Sequence, residues 1–108
     1  MIIDFENIKK ETITHMKDGK GTLYIQPIDD DTKKIARITI PQGSSIGSHT
    51  HTDGDEVVYT LSGRGICHDS KGDHALVKGL VNYCKTGEYH SIENIEQEDL
   101  VVFVVINK

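Results

Sequence analysis

The segment Leu100-Val101-Val102-Phe103-Val104-Val105-Ile106 is apolar at every position. It is far too short to cross a bilayer, which takes about 20 residues. A short apolar run rich in valine reads instead as a β-strand. Strands with one wet face alternate apolar and polar residues, whereas strands covered on both faces do not. The chain must therefore fold as layered β-structure, and the outer face of this strand must also be covered. A second copy of the chain would cover it, which predicts a homodimer. The alternative is cover by the N-terminal segment, residues 2 to 8, folding back.

Other runs support an all-β reading. Residues 34–40 (Lys-Ile-Ala-Arg-Ile-Thr-Ile) alternate and stop at Pro41-Gln42-Gly43. Residues 56–61 form a second run, ended by Ser62-Gly63-Arg64-Gly65. Shorter runs follow at 66–68, 74–77 and 80–84, with Lys71-Gly72-Asp73 and Lys78-Gly79 between them. Residues 5–17 are predicted irregular or a single helical turn, and Asp29-Asp30-Asp31 a solvated hairpin tip. Many short strands with glycine turns about every ten residues indicate a barrel or sandwich. A length of 108 residues bounds this to one domain, 1–108.

Charge and cysteine usage exclude several partners. The net charge is -5, and no Lys/Arg cluster exceeds two in a row. Such a chain has no electrostatic reason to bind nucleic acid or an anionic membrane. The N-terminus lacks a basic, apolar leader. The two cysteines, Cys67 and Cys84, have neither zinc-finger nor C-x-x-C spacing. These features predict a cytoplasmic protein with reduced thiols.

Chemistry concentrates in the middle of the chain. His49-Thr50-His51 is weak alone, since six histidines in 108 residues produce an H-x-H easily by chance. In a strand, however, residues i and i+2 share a face, and both imidazoles converge on one ion. Thr52-Asp53-Gly54-Asp55 is a turn signal, predicted to form a hairpin that returns Glu56 beside the pair. His90 follows another turn marked by Gly87.

These residues resemble the two motifs of the cupin superfamily. The first, G-x5-H-x-H-x4-E-x6-G, is matched by Gly43, His49, His51, Glu56 and Gly63 over residues 43–63. The second, G-x5-P-x-G-x2-H-x3-N, is matched by Gly79, Gly87, His90 and Asn94 over residues 79–94, with Lys85 at the proline position. Lys85 leaves the ligand set intact but puts the stiffness of that turn in question. The resemblance implies a double-stranded β-helix, the jelly-roll or cupin barrel, over 34–106. Residues 1–20 would pack on the barrel or on a dimer partner. It also implies one divalent transition metal (Fe, Mn, Zn, Ni, Co or Cu) on His49, His51, Glu56 and His90. Three imidazoles and one carboxylate suit such ions better than calcium or magnesium. By parity with Glu56, Val58 and Thr60 are expected to face inward and line a partly apolar pocket.

Catalytic candidates are few. His68 and His74, on later strands, are the residues that could add an acid or base. Tyr59 should point away from the metal, and Cys84 should be an inert thiol. Cupins include dioxygenases, decarboxylases, isomerases, lyases and sugar-binding modules, so the fold leaves the reaction open. A metal-dependent enzyme acting on a small oxygenated metabolite is one reading. A non-catalytic binding or sensor module for a sugar or organic acid, with a structural metal, is the alternative.

Overall fold

The computed structural model describes residues 1–108 as ten strands and two single-turn 3-10 segments. The strands are β1 (Glu11–Thr14), β2 (Thr22–Asp29), β3 (Lys33–Ile40), β4 (Ser45–Thr50) and β5 (Glu56–Ser62), followed by β6 (Arg64–Asp69), β7 (Gly72–Val77), β8 (Val81–Cys84), β9 (Tyr89–Glu93) and β10 (Leu100–Asn107). They form two antiparallel sheets facing each other, one ordered β1-β2-β3-β10-β5-β8 and the other β4-β9-β6-β7. This is the expected all-β jelly roll. No helix is long and apolar enough to cross a membrane.

The apolar run behaves as its composition demands. β10 lies between β3 and β5, so both its edges are paired. Leu100, Val102 and Val104 are buried in the core with Leu23, Ile25, Ile38 and Ile92. Burying a side chain of this kind stabilises the fold by about 1.5–3 kcal/mol. On the outer face, Phe103 meets Phe5 edge-on, with ring centroids 6.0 Å apart. Gln26 Nε2 donates to the Phe5 and Ile8 carbonyls at 2.5 and 2.7 Å, pinning the N-terminal segment there. Cover by this segment, the alternative to a partner copy, is thus partly realised. Beyond it, Tyr59, Val81 and Tyr83 stay exposed.

Residues 5–17 hold a 3-10 turn at Phe5–Asn7 as expected, and also strand β1. Strand β2 escapes the sequence pattern because Pro27 interrupts it, and proline cannot donate to a ladder. It is tolerated because β1 reaches only to Ile25 in register, leaving Pro27 on a local edge. The acidic tip is the expected hairpin: Asp30 Oδ1 accepts from the Thr32 and Lys33 amides at 2.8 and 2.9 Å. Gly63 turns β5 into β6 at φ +79, and a Cβ there would stand 2.1 Å from the Asp99 carbonyl.

Within the core, Thr60 is fully buried and its hydroxyl has no hydrogen-bond partner. An unsatisfied buried hydroxyl costs about 1–3 kcal/mol. Thr60→Val keeps the shape and removes that penalty. It should raise the midpoint of denaturant unfolding, by roughly 1 kcal/mol in free energy; a loss of stability would show that the hydroxyl is satisfied.

Candidate metal centre

The four predicted donors come together at one end of the barrel. The Nε2 atoms of His49, His51 and His90 form a near-equilateral triangle of 3.1, 3.2 and 3.2 Å. Glu56 Oε1 lies 2.8 Å from His51 Nε2, 2.6 Å from His90 Nε2 and 3.9 Å from His49 Nε2. His90 is almost wholly buried, and the other three are nearly so.

Long-range pairing builds this cluster. His49 and His90 are register partners of β4 and β9. A bulge between Ile46 and His49 breaks the ladder. It resets the alternation, so that both Ile46 and His49 face inward; bulges often re-aim side chains in this way. His51 is tied to the turn before His90, its amide donating to the Glu88 carbonyl and its carbonyl accepting from the Gly87 amide. Glu56 arrives differently from the expectation. Thr52–Asp55 does not close a hairpin, because β4 and β5 belong to opposite sheets. The turn carries the chain across the barrel, and the carboxylate meets the imidazoles from the facing wall. Asp55 locks that crossing, its Oδ1 accepting from the Thr86 amide and hydroxyl at 2.9 and 3.0 Å and its Oδ2 from the Tyr83 hydroxyl at 3.1 Å.

The Lys85 departure does not loosen its turn. The Lys85 amide donates to Glu88 Oε1, and the Glu88 amide donates back to the Lys85 carbonyl, each at 2.9 Å. A proline would supply stiffness by fixing φ; here a reciprocal pair of hydrogen bonds does so.

Tautomers decide whether the cluster fits a cation. His49 Nδ1 lies 2.8 Å from the Gly47 carbonyl, which only accepts. His90 Nδ1 lies 2.7 Å from Asn82 Oδ1. Both rings therefore carry their proton on Nδ1 when neutral, and their Nε2 lone pairs point at one another. Such an arrangement is repulsive without a positive charge between the rings. Electrostatics agree. Burial pushes the His49 imidazole down from its ordinary range, against the Gly47 hydrogen bond. Burial pushes the Glu56 carboxyl up, but the His90 hydrogen bond and the three nearby imidazoles outweigh it, so its net shift is downward.

Donor spacing adds a geometric constraint. The widest separation from Glu56 Oε1 is to His49 Nε2, at 3.9 Å, so all four donors could reach one ion at bonds of about 2.1 Å. The group can hold one metal ion, and an ion that takes six ligands would keep two positions for water or a bound ligand.

Asn82 is the positioning residue that sequence reasoning missed. Its signal was faint: one amide within an otherwise apolar strand, Leu80 to Cys84. Partners that orient a ligating imidazole typically matter 10–100-fold in metal affinity. Asn82→Ala should weaken metal binding by about that factor, measured by chelator competition, without unfolding the barrel. Unchanged affinity would mean that packing alone orients His90.

The cluster opens on a cavity of about 310 Å³. Val58 and Thr60 are buried as expected, but they do not line it. Its apolar wall comes from Ile25, Ala36, Ile38, Ile92, Val104 and Ile106. Met16 and Lys17 border it from a turn in which His15, Lys17 and Asp18 all have positive φ.

His68 and His74 are not brought to the cavity. His68 alternates with buried Cys67 and faces outward, between Asp73 Oδ1 at 2.5 Å and Glu93 Oε1 at 2.8 Å. His74 bonds Asp69 at 3.0 Å near the sheet edge. The Asp73 and Glu93 hydrogen bonds raise the His68 pKa. Its contribution to stability is full below the unfolded value near 6.5 and fades as pH rises through the folded value. His68→Gln should therefore destabilise the protein by under about 1 kcal/mol near pH 6 and leave it unaffected at pH 9, as read from urea midpoints. A difference independent of pH would contradict this. Cys67 and Cys84 are free and buried, and burial raises their thiols to about 12 and about 11.

A jelly roll with three imidazoles and a carboxylate gathered at its mouth defines a metal-site β-barrel. The cupin domain model matches residues 36–106, and the chain belongs to the cupin family. It is 34% identical over 112 residues to an oxalate-binding protein of Thermotoga maritima, covering 98% of this chain and 93% of that one. A crystal structure from Thermotoga maritima, described as a predicted oxalate decarboxylase, superposes with a TM-score of 0.93 at 34% identity, covering 99% and 98% of the two chains. A polyketide cyclase from Streptomyces resistomycificus shares the fold with a TM-score of 0.83 at 16% identity, over 99% of this chain and 78% of that one.

Proposed function

We propose that this cupin is a metal-dependent enzyme of the decarboxylase or lyase type, acting on a small organic acid. His49, His51, Glu56 and His90 would hold one divalent transition metal. The observation that carries the reading is the convergence of four donors on one point at the edge of a cavity; an ion held there that takes six ligands would keep two positions for a chelating carboxylate. The similarity to an oxalate-binding protein supports an oxygen-rich acid as ligand. When bound, the ion would supply Lewis acidity. The residues of the chain bind and orient the acid, and the apolar wall limits water around it. For oxalate monoanion the products would be formate and carbon dioxide: the carbon–carbon bond breaks and the acid's own proton ends on formate carbon.

The test is to load the protein separately with Mn, Fe, Co, Ni, Cu and Zn and measure oxalate binding by calorimetry and formate release by assay. Binding and turnover that need the metal support the proposal. Binding without turnover in any metal form favours the second reading, a non-catalytic organic-acid module. One observation favours that reading: His68 and His74 lie outside the cavity, so neither can pass a proton to a bound acid.

The reading extends to assembly and location. Residues 1–108 act as one cupin domain, with 1–20 packed along the outer sheet. The exposed Tyr59, Val81 and Tyr83 beside Phe103 form the centre of a homodimer interface. Sedimentation of the wild type as a dimer, and of Tyr83→Glu as a monomer, would bear this out. Two free buried cysteines suit the cytoplasm.

A further inference from the structure

Three lysines line the cavity outside the metal cluster: Lys17 on the Met16–Asp18 turn, Lys108 paired with Asp29, and Lys34 on the barrel wall itself. Glu56 is the register partner of Ile106, and Ile106 is the register partner of Lys34. The three residues form one row across β5, β10 and β3, with side chains on the same face. Strands lie about 4.8 Å apart, so the Lys34 Cα stands roughly 10 Å from that of Glu56. Lys34, Glu56 and the three imidazoles all line the same cavity.

The neighbours of Lys34 leave its charge available. On its other side the register partner is Asp29. That carboxylate is engaged by Lys108, whose ammonium also donates to the Asp30 carbonyl at 2.9 Å. Between Lys34 and the metal cluster stands apolar Ile106, with Ala36, Ile38 and Val104 nearby on the wall. The small Ala36 side chain leaves space there. A cavity of about 310 Å³ lies in the size range of small-molecule sites. Oxalate, with six heavy atoms, fills only part of it.

We infer that Lys34 is the specificity-determining residue of this site, selecting an acid with two anionic ends. One end chelates the metal, a short carbon chain lies along Ile106 and Ala36, and the second anionic end meets the Lys34 ammonium. This inference rests on the organic-acid reading above and names the substrate class for it. A charge-assisted hydrogen bond in a partly enclosed site discriminates dianion from monoanion strongly. Lys34 positions the acid and takes no part in bond breaking.

The experiment compares succinate with butyrate by calorimetry on the Mn-loaded protein, with oxalate as the test of acid binding itself. The wild type should bind succinate at least tenfold more tightly than butyrate. Lys34→Met should remove that preference while metal content stays at the wild-type level. Lys34→Arg, which keeps the charge, should retain most of it. A preference that survives Lys34→Met overturns the inference and leaves the organic-acid reading standing. Failure of every acid to bind the Mn-loaded wild type overturns both.

Discussion

His51→Ala is expected to yield a folded barrel that no longer retains a stoichiometric metal ion. His51 Nε2 touches every other donor, lying within 3.2 Å of both other imidazole nitrogens and 2.8 Å from Glu56. Four-ligand structural zinc sites, which include thiolates, bind with about 10–16 kcal/mol, so one donor of four carries roughly 3 kcal/mol, and losing an imidazole should cost on the order of a hundredfold in affinity. The fold should survive because the thirteen-residue core is built from strand side chains such as Leu23, Ile40 and Val102, none of them a donor. The melting temperature should still fall. Metal at a hundred times its dissociation constant stabilises the native state by about 2.7 kcal/mol, and the variant loses that contribution. Elemental analysis after gel filtration gives the first number, and melts with and without chelator give the second. Chelator should lower the wild-type melt to that of the variant and leave the variant unmoved. Acid should also release the metal from the wild type, because protons compete with it for the donor atoms. A variant that keeps a full complement of metal would place the ion elsewhere.

Gly47→Ala should be strongly damaging for so small a change. A methyl at position 47 would stand 1.9 Å from the Lys17 carbonyl oxygen and 2.7 Å from the Gly19 nitrogen, both of them backbone atoms. Backbone cannot swing aside as a flexible side chain can. The turn at Met16–Asp18 would have to leave strand β4, at a cost of about 2–3 kcal/mol or more. For a domain of this size that lowers the melting temperature by roughly 10 °C or more. The same change should weaken metal binding, because the Gly47 carbonyl holds the His49 proton on Nδ1. Gly43→Ala is the control. A methyl there meets nothing within 4 Å, but φ is +77. It should therefore cost only the backbone strain of about 1 kcal/mol and leave metal affinity unchanged. An effect of Gly47→Ala no larger than that of Gly43→Ala would show that the Met16–Asp18 turn yields to the added methyl at little cost.

The two glycines show where sequence reasoning succeeds and where it stops. Gly43 is legible as a motif position after a strand. Gly47 carries no such mark, because its constraint comes from a turn nearly thirty residues earlier. The same division runs through the candidate site. His49, His51, Glu56 and His90 stand out through spacing along the chain. Asn82 and Lys34 do not, since each acquires its place from the strand beside it. The Thr52–Asp55 turn was recognisable as a turn, but no local signal says whether it closes a hairpin or crosses between sheets.

Alternation of apolar and polar residues and turn glycines are properties of neighbouring residues, and they alone determined an all-β barrel or sandwich; the resemblance to the two cupin motifs added the type of barrel and its four candidate donors. Tertiary structure decided the rest: the bulge that aims His49, the amide behind His90, the outward turn of His68 and the row that places Lys34 across from Glu56. Those depend on register between strands far apart in the chain. Register is settled by the packing of the whole core, where a slip of one residue would turn every side chain to the opposite face.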